Sequence, residues 1–165
     1  DCRYALLNFM EDYQTAYALK RYDYLESIFS DDALIIVGHV LQRKVLKDQM
    51  RFNFSDEEVK RVTKDKKTYF NVLSKIFASQ EYIDIRFAET NFTRQLNSED
   101  ANKTDGEDIF GVQLHQEYNS TTYGDVGYLF LMVDLRDPKQ PIIHVRAWQP
   151  DKGDLNRLIN LSDLE

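Results

Sequence analysis

The chain has 165 residues, of which 42% are hydrophobic and 30% charged, with three Pro and six Gly. That length fits one domain with its own core, and the scarcity of Pro and Gly argues against a linker-rich or disordered chain. The net charge of −7 and pI near 5.0 have the wrong sign for a protein that displaces counterions from nucleic-acid phosphates.

Cys2 is the only cysteine, which excludes an internal disulfide and a Cys-rich zinc site. From Tyr4 to Lys20, Leu6, Phe9, Met10, Tyr13, Ala16 and Tyr17 recur at three- and four-residue spacing and predict an amphipathic helix. A short helix follows, with Asp23 as its cap, Glu26 completing a capping box, and Tyr24, Leu25, Ile28 and Phe29 on its apolar side. Ser30-Asp31-Asp32 ends it. Ala33 to Val37 reads as a buried strand closed by Gly38, and Leu41 to Phe54 as irregular chain.

Ser55-Asp56-Glu57-Glu58 is a second capping box, and the helix it predicts runs to about Ser79, with Val59, Val62, Tyr69, Leu73, Ile76 and Phe77 as its stripe. Lys66 interrupts that stripe, so a bend or break is expected there. The one basic run, Lys60, Arg61, Lys64, Lys66 and Lys67, reads as the solvated face of this helix. The remainder is β. Tyr82 to Gln95 alternates, with Ile83, Ile85 and Phe87 opposite Asp84 and Arg86. Asn97 to Asp108 is a polar loop. Ile109 to Tyr118 alternates, with Phe110, Val112 and Leu114 opposite Gln113, His115 and Glu117, and Asn119 to Asp125 is a turn region. Gly127 to Leu135 is apolar throughout, as expected of a central strand covered on both faces. Asp137-Pro138 breaks it. Ile142 to Gln149 is the last strand, Pro150 ends it, and the polar tail from Asp151 holds one short helical stretch. No internal repeat or domain boundary appears, so residues 1–165 are expected to form a single domain.

The stretch KRYDYLESIFSDDALIIVG resembles the signature of NTF2-like and SnoaL-like domains, in which a long helix, a short helix and a strand follow one another. Asp23, Leu25, Ile28, Phe29, Asp31, Asp32 and Ala33 carry the resemblance, and the later order of one long helix and several antiparallel strands fits it across nearly the whole chain. The resemblance implies an α+β cone, with N-terminal helices packed on a strongly curved antiparallel sheet and a pocket in its mouth. Such folds serve enzymes, subunits and binding proteins alike, so the fold does not give the function.

In the ketosteroid isomerases of that superfamily a tyrosine on the first helix works with a carboxylate base beyond the DDA strand start. Tyr13 falls on the tyrosine position and Val37 on the base position. Valine cannot take a proton, which rejects that activity; Tyr13 is equally an aromatic on a core face. Asp31 and Asp32, adjacent and pointing apart, read as a helix end. His115 and Glu117 share one strand face, as do His144, Arg146 and Trp148. If those faces line the pocket they offer a proton carrier, an anion clamp and a stacking platform. The simpler reading puts them outside, with Ile143, Val145 and Ala147 buried. A metal site of His115, His144 and Glu117 has suitable ligand types but no fixed spacing.

No phosphate loop, nucleophile elbow or zinc-helix motif is present, and no cofactor is implied. The preferred reading is a non-catalytic binding or assembly domain. The alternative is a SnoaL-like small-molecule-binding protein or enzyme. Candidate ligand contacts are Tyr13, Tyr17, His144, Arg146 and Trp148, for a small aromatic or anionic ligand. A homodimer or protein partner through the sheet's outer face is expected. No apolar run approaches a membrane span, and nucleic acid is not an expected partner. The start at Asp1 and four N-x-[ST] sequons, at Asn53, Asn91, Asn102 and Asn119, give the expectation of an exported protein.

Overall fold

The computed structural model describes residues 2–42, 57–94 and 108–150, with the side chains of all but residues 2, 39–42, 57–61 and 94. The expected loop over 97–107, the stretch 43–56, the helical stretch in the tail and the sequon residues Asn53 and Asn102 lie outside the described residues.

The element order is α1 (Cys2–Ala18), α2 (Tyr22–Ile28), β1 (Phe29–Gln42), β2 (Glu57–Lys64), α3 (Lys66–Ser79), β3 (Ile83–Arg94), β4 (Ile109–Ser120), β5 (Gly124–Asp134) and β6 (Ile142–Pro150). All six strands form one curved, open sheet in the order β2-β1-β6-β5-β4-β3, with the helices against one face. Every neighbouring pair is antiparallel except β1 with β6, which run parallel.

Extra residues bend the strands. One lies in β3 between Ala88 and Asn91, where Glu89 takes the left-handed conformation with φ 53°. Another is His144, left over where Met132 pairs with Val145 but Val133 with Ile143. A third irregularity falls between Phe29 and Leu34 of β1. Such bulges bend a strand and raise its twist, which is how a sheet curls round its helices.

The α1 face is the one its spacing predicts: Leu6, Phe9, Met10, Tyr13, Ala16 and Tyr17 are all buried. Lys20, at φ 56°, turns the chain out of α1. The α2 capping box does not form. Arg21 holds the cap position without a side-chain bond, and Asp23 sits within the first turn. Asp31 and Asp32 lie in β1 rather than at a helix end, within the irregular stretch where adjacent side chains diverge. Lys66 Nζ pairs with Asp31, while Ser30 Oγ donates to Asp32.

The helix expected from Ser55 to Ser79 is two elements. Residues 57–64 are the edge strand β2, paired with β1 from Glu57–Gln42 to Lys64–Ile35. The helix starts at Lys66, where the Asp65 carboxylate accepts from Thr68 N at 2.7 Å. The basic run is therefore divided between a strand and a helix start. In β3, β4, β5 and β6 the strands fall where alternation puts them. Leu114, Leu129, Leu131, Val133 and Ile143 join the helices in the main core, and Ile36, Phe130, Val145 and Ala147 make a second apolar cluster on the opposite face.

Candidate functional site

Where α1 and α3 cross the concave face of the sheet they leave a cavity of about 410 Å3, within the roughly 300–1,000 Å3 of small-molecule pockets. Its helix wall is Tyr17 of α1 and Tyr69, Val72, Leu73 and Ile76 of α3, and its sheet wall includes Val37, Ile85, Gln116, Tyr118, Arg146 and Trp148. Ser120, Tyr123, Asp125 and Gln80 complete the lining.

Arg146 is at the centre of a phenol cluster. Its Nε donates to Tyr13 Oη over a long 3.3 Å, and its Cζ lies 5.0 Å from the centroid of the Tyr69 ring, inside cation–π range. Tyr17 Oη and Tyr69 Oη are 2.6 Å apart, and Tyr13 Oη donates to Tyr17 Oη at 3.4 Å. Burial works against the guanidinium's charge, but the phenol oxygens of Tyr69, Tyr13 and Tyr17 outweigh it and hold Arg146 protonated. Burial likewise raises the Tyr17 and Tyr69 hydroxyls above the ordinary phenol range, so they remain neutral donors. Among the described residues, no carboxylate comes within ion-pair distance of Arg146.

Asp125 is the one acid among the described lining residues. Burial pushes its carboxyl up, against a hydrogen bond from Tyr123 and the charge of Arg146, and its Oδ1 is buried without a partner among the described residues. The same burial, together with Asp125, pushes Tyr123 up to about 12. Trp148 reaches this part of the wall because Gly127, on the next strand, has no side chain. A Cβ on Gly127 would stand 2.6 Å from the indole and 2.4 Å from Gln149 O.

The candidate residues named from sequence separate accordingly. Tyr17, Arg146 and Trp148 line the cavity, and Tyr13 lies beneath it, fully buried and bonded to two of the cluster. His144 is elsewhere. As the bulged residue of β6 it turns its Nε2 to Asp134 Oδ2 at 2.9 Å, and Arg136 holds the same carboxylate from the other side. The simpler sequence reading, with Arg146 and Trp148 outside, is overturned. The bulge at His144 reverses the alternation, so Ile143 joins the helix-covered core while Val145 and Ala147 face away from it. His115 stays on the outer face, 5.2 Å from the Tyr128 ring, in the row of Gln149 and not of His144. Among the described residues, no three His, Cys, Asp or Glu side chains are grouped to hold a metal ion. Sequence reasoning missed Gln116 and Asp125. Gln116 does carry a signal: it is a polar residue on the parity of Phe110, Val112 and Leu114.

Three helices on the hollow side of a six-stranded open sheet, with a cavity between them, can be compared with known proteins. The chain superposes on Bd1075 from Bdellovibrio bacteriovorus with a TM-score of 0.62 at 14% identity, over 92% of this chain and 41% of that one. A protein from Streptomyces avermitilis assigned as a dehydratase of the NTF2-like family gives 0.55 at 11% identity, over 84% and 88% of the two chains. The chain has the NTF2-like fold. A beta subunit assigned to an aromatic-ring-hydroxylating dioxygenase of Novosphingobium aromaticivorans gives 0.58 at 12% identity, over 97% and 92%. The chain thus spans about two fifths of Bd1075 but nearly the full length of the other two. No protein-family model matches the sequence, and no curated protein matches it. No helix among the described residues is long and apolar enough to cross a membrane.

Proposed function

We propose that this NTF2-like chain binds a small, planar carboxylic acid in the cavity and performs no chemistry on it. One observation carries the reading: Arg146, partly buried and held by the phenol cluster, has no carboxylate within ion-pair distance among the described residues. A partly buried cation whose acidic neighbour Asp125 acts on it only from beyond ion-pair distance is incompletely compensated. A planar guanidinium with unused N–H groups is matched to a carboxylate, and the surrounding Tyr17, Tyr69 and Trp148 rings suit an aromatic body. Val37, at the position that would carry the base in the isomerases this sequence resembles, is a wall of the same cavity.

The test is a thermal-shift screen of aromatic acids on the wild type and on Arg146→Met, which keeps an apolar stem and removes the charge. An acid at about 100 times its dissociation constant should add roughly 2.7 kcal/mol of stability, and the variant should lose that gain. No shift with any acid, or equal shifts in both proteins, sinks the proposal.

A second reading, that the cavity is catalytic, is favoured by Asp125. A carboxyl raised by burial and lining a cleft is the type of group enzymes use as a base. The neighbours include a protein assigned as a dehydratase, so the fold itself does not choose between binding and catalysis. Mass spectrometry of any acid that binds decides between them. Recovery of unchanged acid after prolonged incubation with the wild type supports binding alone, and a product absent with Asp125→Asn supports catalysis.

A further inference from the structure

The cavity has a second polar end. Gln116 is only 5% exposed as a residue and lines the cavity, and its side-chain amide, which bonds no other described residue, is open to the cavity and not among the enclosed unpaired atoms. An amide that faces a cavity offers two donors and an acceptor to whatever enters it. Gln116 stands beside Asp125. Its backbone partner on β5 is Gly127, and Asp125 pairs with Tyr118, so the two side chains are diagonal neighbours on the inner face.

This end is separated from Arg146 along the sheet, although the charge of Arg146 still reaches Asp125. Arg146 pairs with Leu131, and Leu131 with Val112, so Gln116 is four residues further along β4 and two strands away. At about 3.3 Å per residue and 4.8 Å per strand, the backbones are roughly 13 Å apart along the sheet and 10 Å across it. Long side chains close part of that distance, and the wall between the ends is Tyr118, Trp148 and apolar chains. The negative charge of Asp125 excludes a second acid group here and favours a hydrogen-bond donor.

Resting on the reading of Arg146 as an anion anchor, we propose that Gln116 is a specificity-determining residue, and that the ligand is an elongated aromatic carboxylic acid whose far end carries a hydroxyl or amine. The carboxylate meets Arg146. The ring packs against the tyrosines and Trp148. The distal group takes the open amide of Gln116, with its proton directed toward Asp125. A site built to hydrogen-bond a hydroxyl discriminates strongly against the analogue that lacks it, because its own polar groups are then left unpaired.

Calorimetric titration with cinnamate, 4-hydroxycinnamate and 4-methoxycinnamate tests this. In the wild type the hydroxylated acid should bind about tenfold or more tightly than cinnamate, a modest form of the discrimination known for such sites. The methoxy acid, which cannot donate, should bind no better than cinnamate. In Gln116→Leu the hydroxyl advantage should vanish while cinnamate binding is kept. Equal binding of cinnamate and its hydroxylated form to the wild type overturns the inference while leaving the Arg146 reading intact, as does full discrimination in Gln116→Leu or tight binding of the methoxy acid. If none of the three acids binds the wild type, the inference and the reading it rests on both fall. The wild-type comparison stands even if Gln116→Leu fails to fold.

Discussion

Arg146 and Asp134 lie on adjacent central strands and have opposite consequences for stability. Arg146 is a partly buried cation whose only polar bond among the described residues is a long one to Tyr13, so its desolvation is poorly repaid without a ligand. Arg146→Met removes that cost and, with it, a cation–π contact on Tyr69 worth about 0.5–2 kcal/mol. The two nearly cancel, and replacing buried charge by an apolar side chain is often neutral or stabilising. The unliganded variant should unfold in urea at the wild-type midpoint or above it, by up to about 2 kcal/mol. A midpoint well below the wild type would show that Arg146 is structural. Asp134 is the reverse case. Burial pushes its carboxyl up, but hydrogen bonds from Arg136 and His144 outweigh that and hold it well below the usual carboxylate range. A group whose pKa is depressed on folding stabilises above its unfolded pKa, about 3.9 for Asp, and loses that contribution as pH falls through the window below it. Arg136 is largely exposed, which limits the effect, so Asp134→Asn should cost about 1–2 kcal/mol at pH 7. The gap between wild type and variant should narrow by about pH 3. A gap that is constant from pH 7 to 3 would mean that the charge contributes nothing.

Among the elements, α1 was fully legible in the sequence and the segment before α3 was not. The face of α1 packs against one continuous core, so a simple 3.6-residue period carries over. Residues 57–64 have helix-forming Glu and Lys and an apparent capping box, with Val59 and Val62 at a helical spacing of three. In the sheet those two positions pair with Val40 and Val37 of β1. Pairing with β1 overrides local propensity, a tertiary effect no local pattern reports. The sequence did flag a break near Lys66, and Asp65 explains it: a short acceptor that bonds Thr68 N starts a helix and cannot be inside one. Asp65→Ala should lower the urea midpoint, and Asp65→Asn, which keeps an acceptor, should restore most of the loss. Burial opposes the ionised carboxyl only weakly here, and the bond from Thr68 lowers its pKa. The advantage of Asp over Ala should therefore fade as pH drops through the carboxylate range. Equal midpoints for all three proteins would place the helix start elsewhere. Strand β6 misled for a different reason. Its alternation is correct on either side of His144, but one extra residue reverses which face is inside, and a sequence does not mark a bulge that lacks Gly or Pro.

At the scale of the molecule, the order of the described helices and strands was readable except for β2, because long alternating and amphipathic segments depend on burial alone. The contents of the cavity were only partly readable. Tyr17, Arg146 and Trp148 could be named, but their convergence depends on sheet curvature, a property of the three irregularities in β1, β3 and β6 together. That curvature requires an uninterrupted central strand from which the others bend. Strand β5 meets the requirement. It lies between β6 and β4, with Leu129, Leu131 and Val133 against the helices and Phe130 in the opposite apolar cluster. Leu131 is 0% exposed and pairs with Arg146 on one side and Val112 on the other. Arg146 could meet a carboxylate at that position, so the test uses the next inward residue: Leu129→Asp, 1% exposed in the wild type and paired with Trp148 and Leu114, has no cation at either paired position. Burying an unpaired charge costs several kcal/mol, a large part of a total stability of about 5–15 kcal/mol. The variant should be insoluble or lack a cooperative melt. Val126→Asp, on the same strand but at a position 42% exposed, is the control and should change stability by no more than about 0.5 kcal/mol. Should Leu129→Asp melt cooperatively near the wild type, or Val126→Asp unfold as readily, β5 would not be the strand from which the sheet is bent.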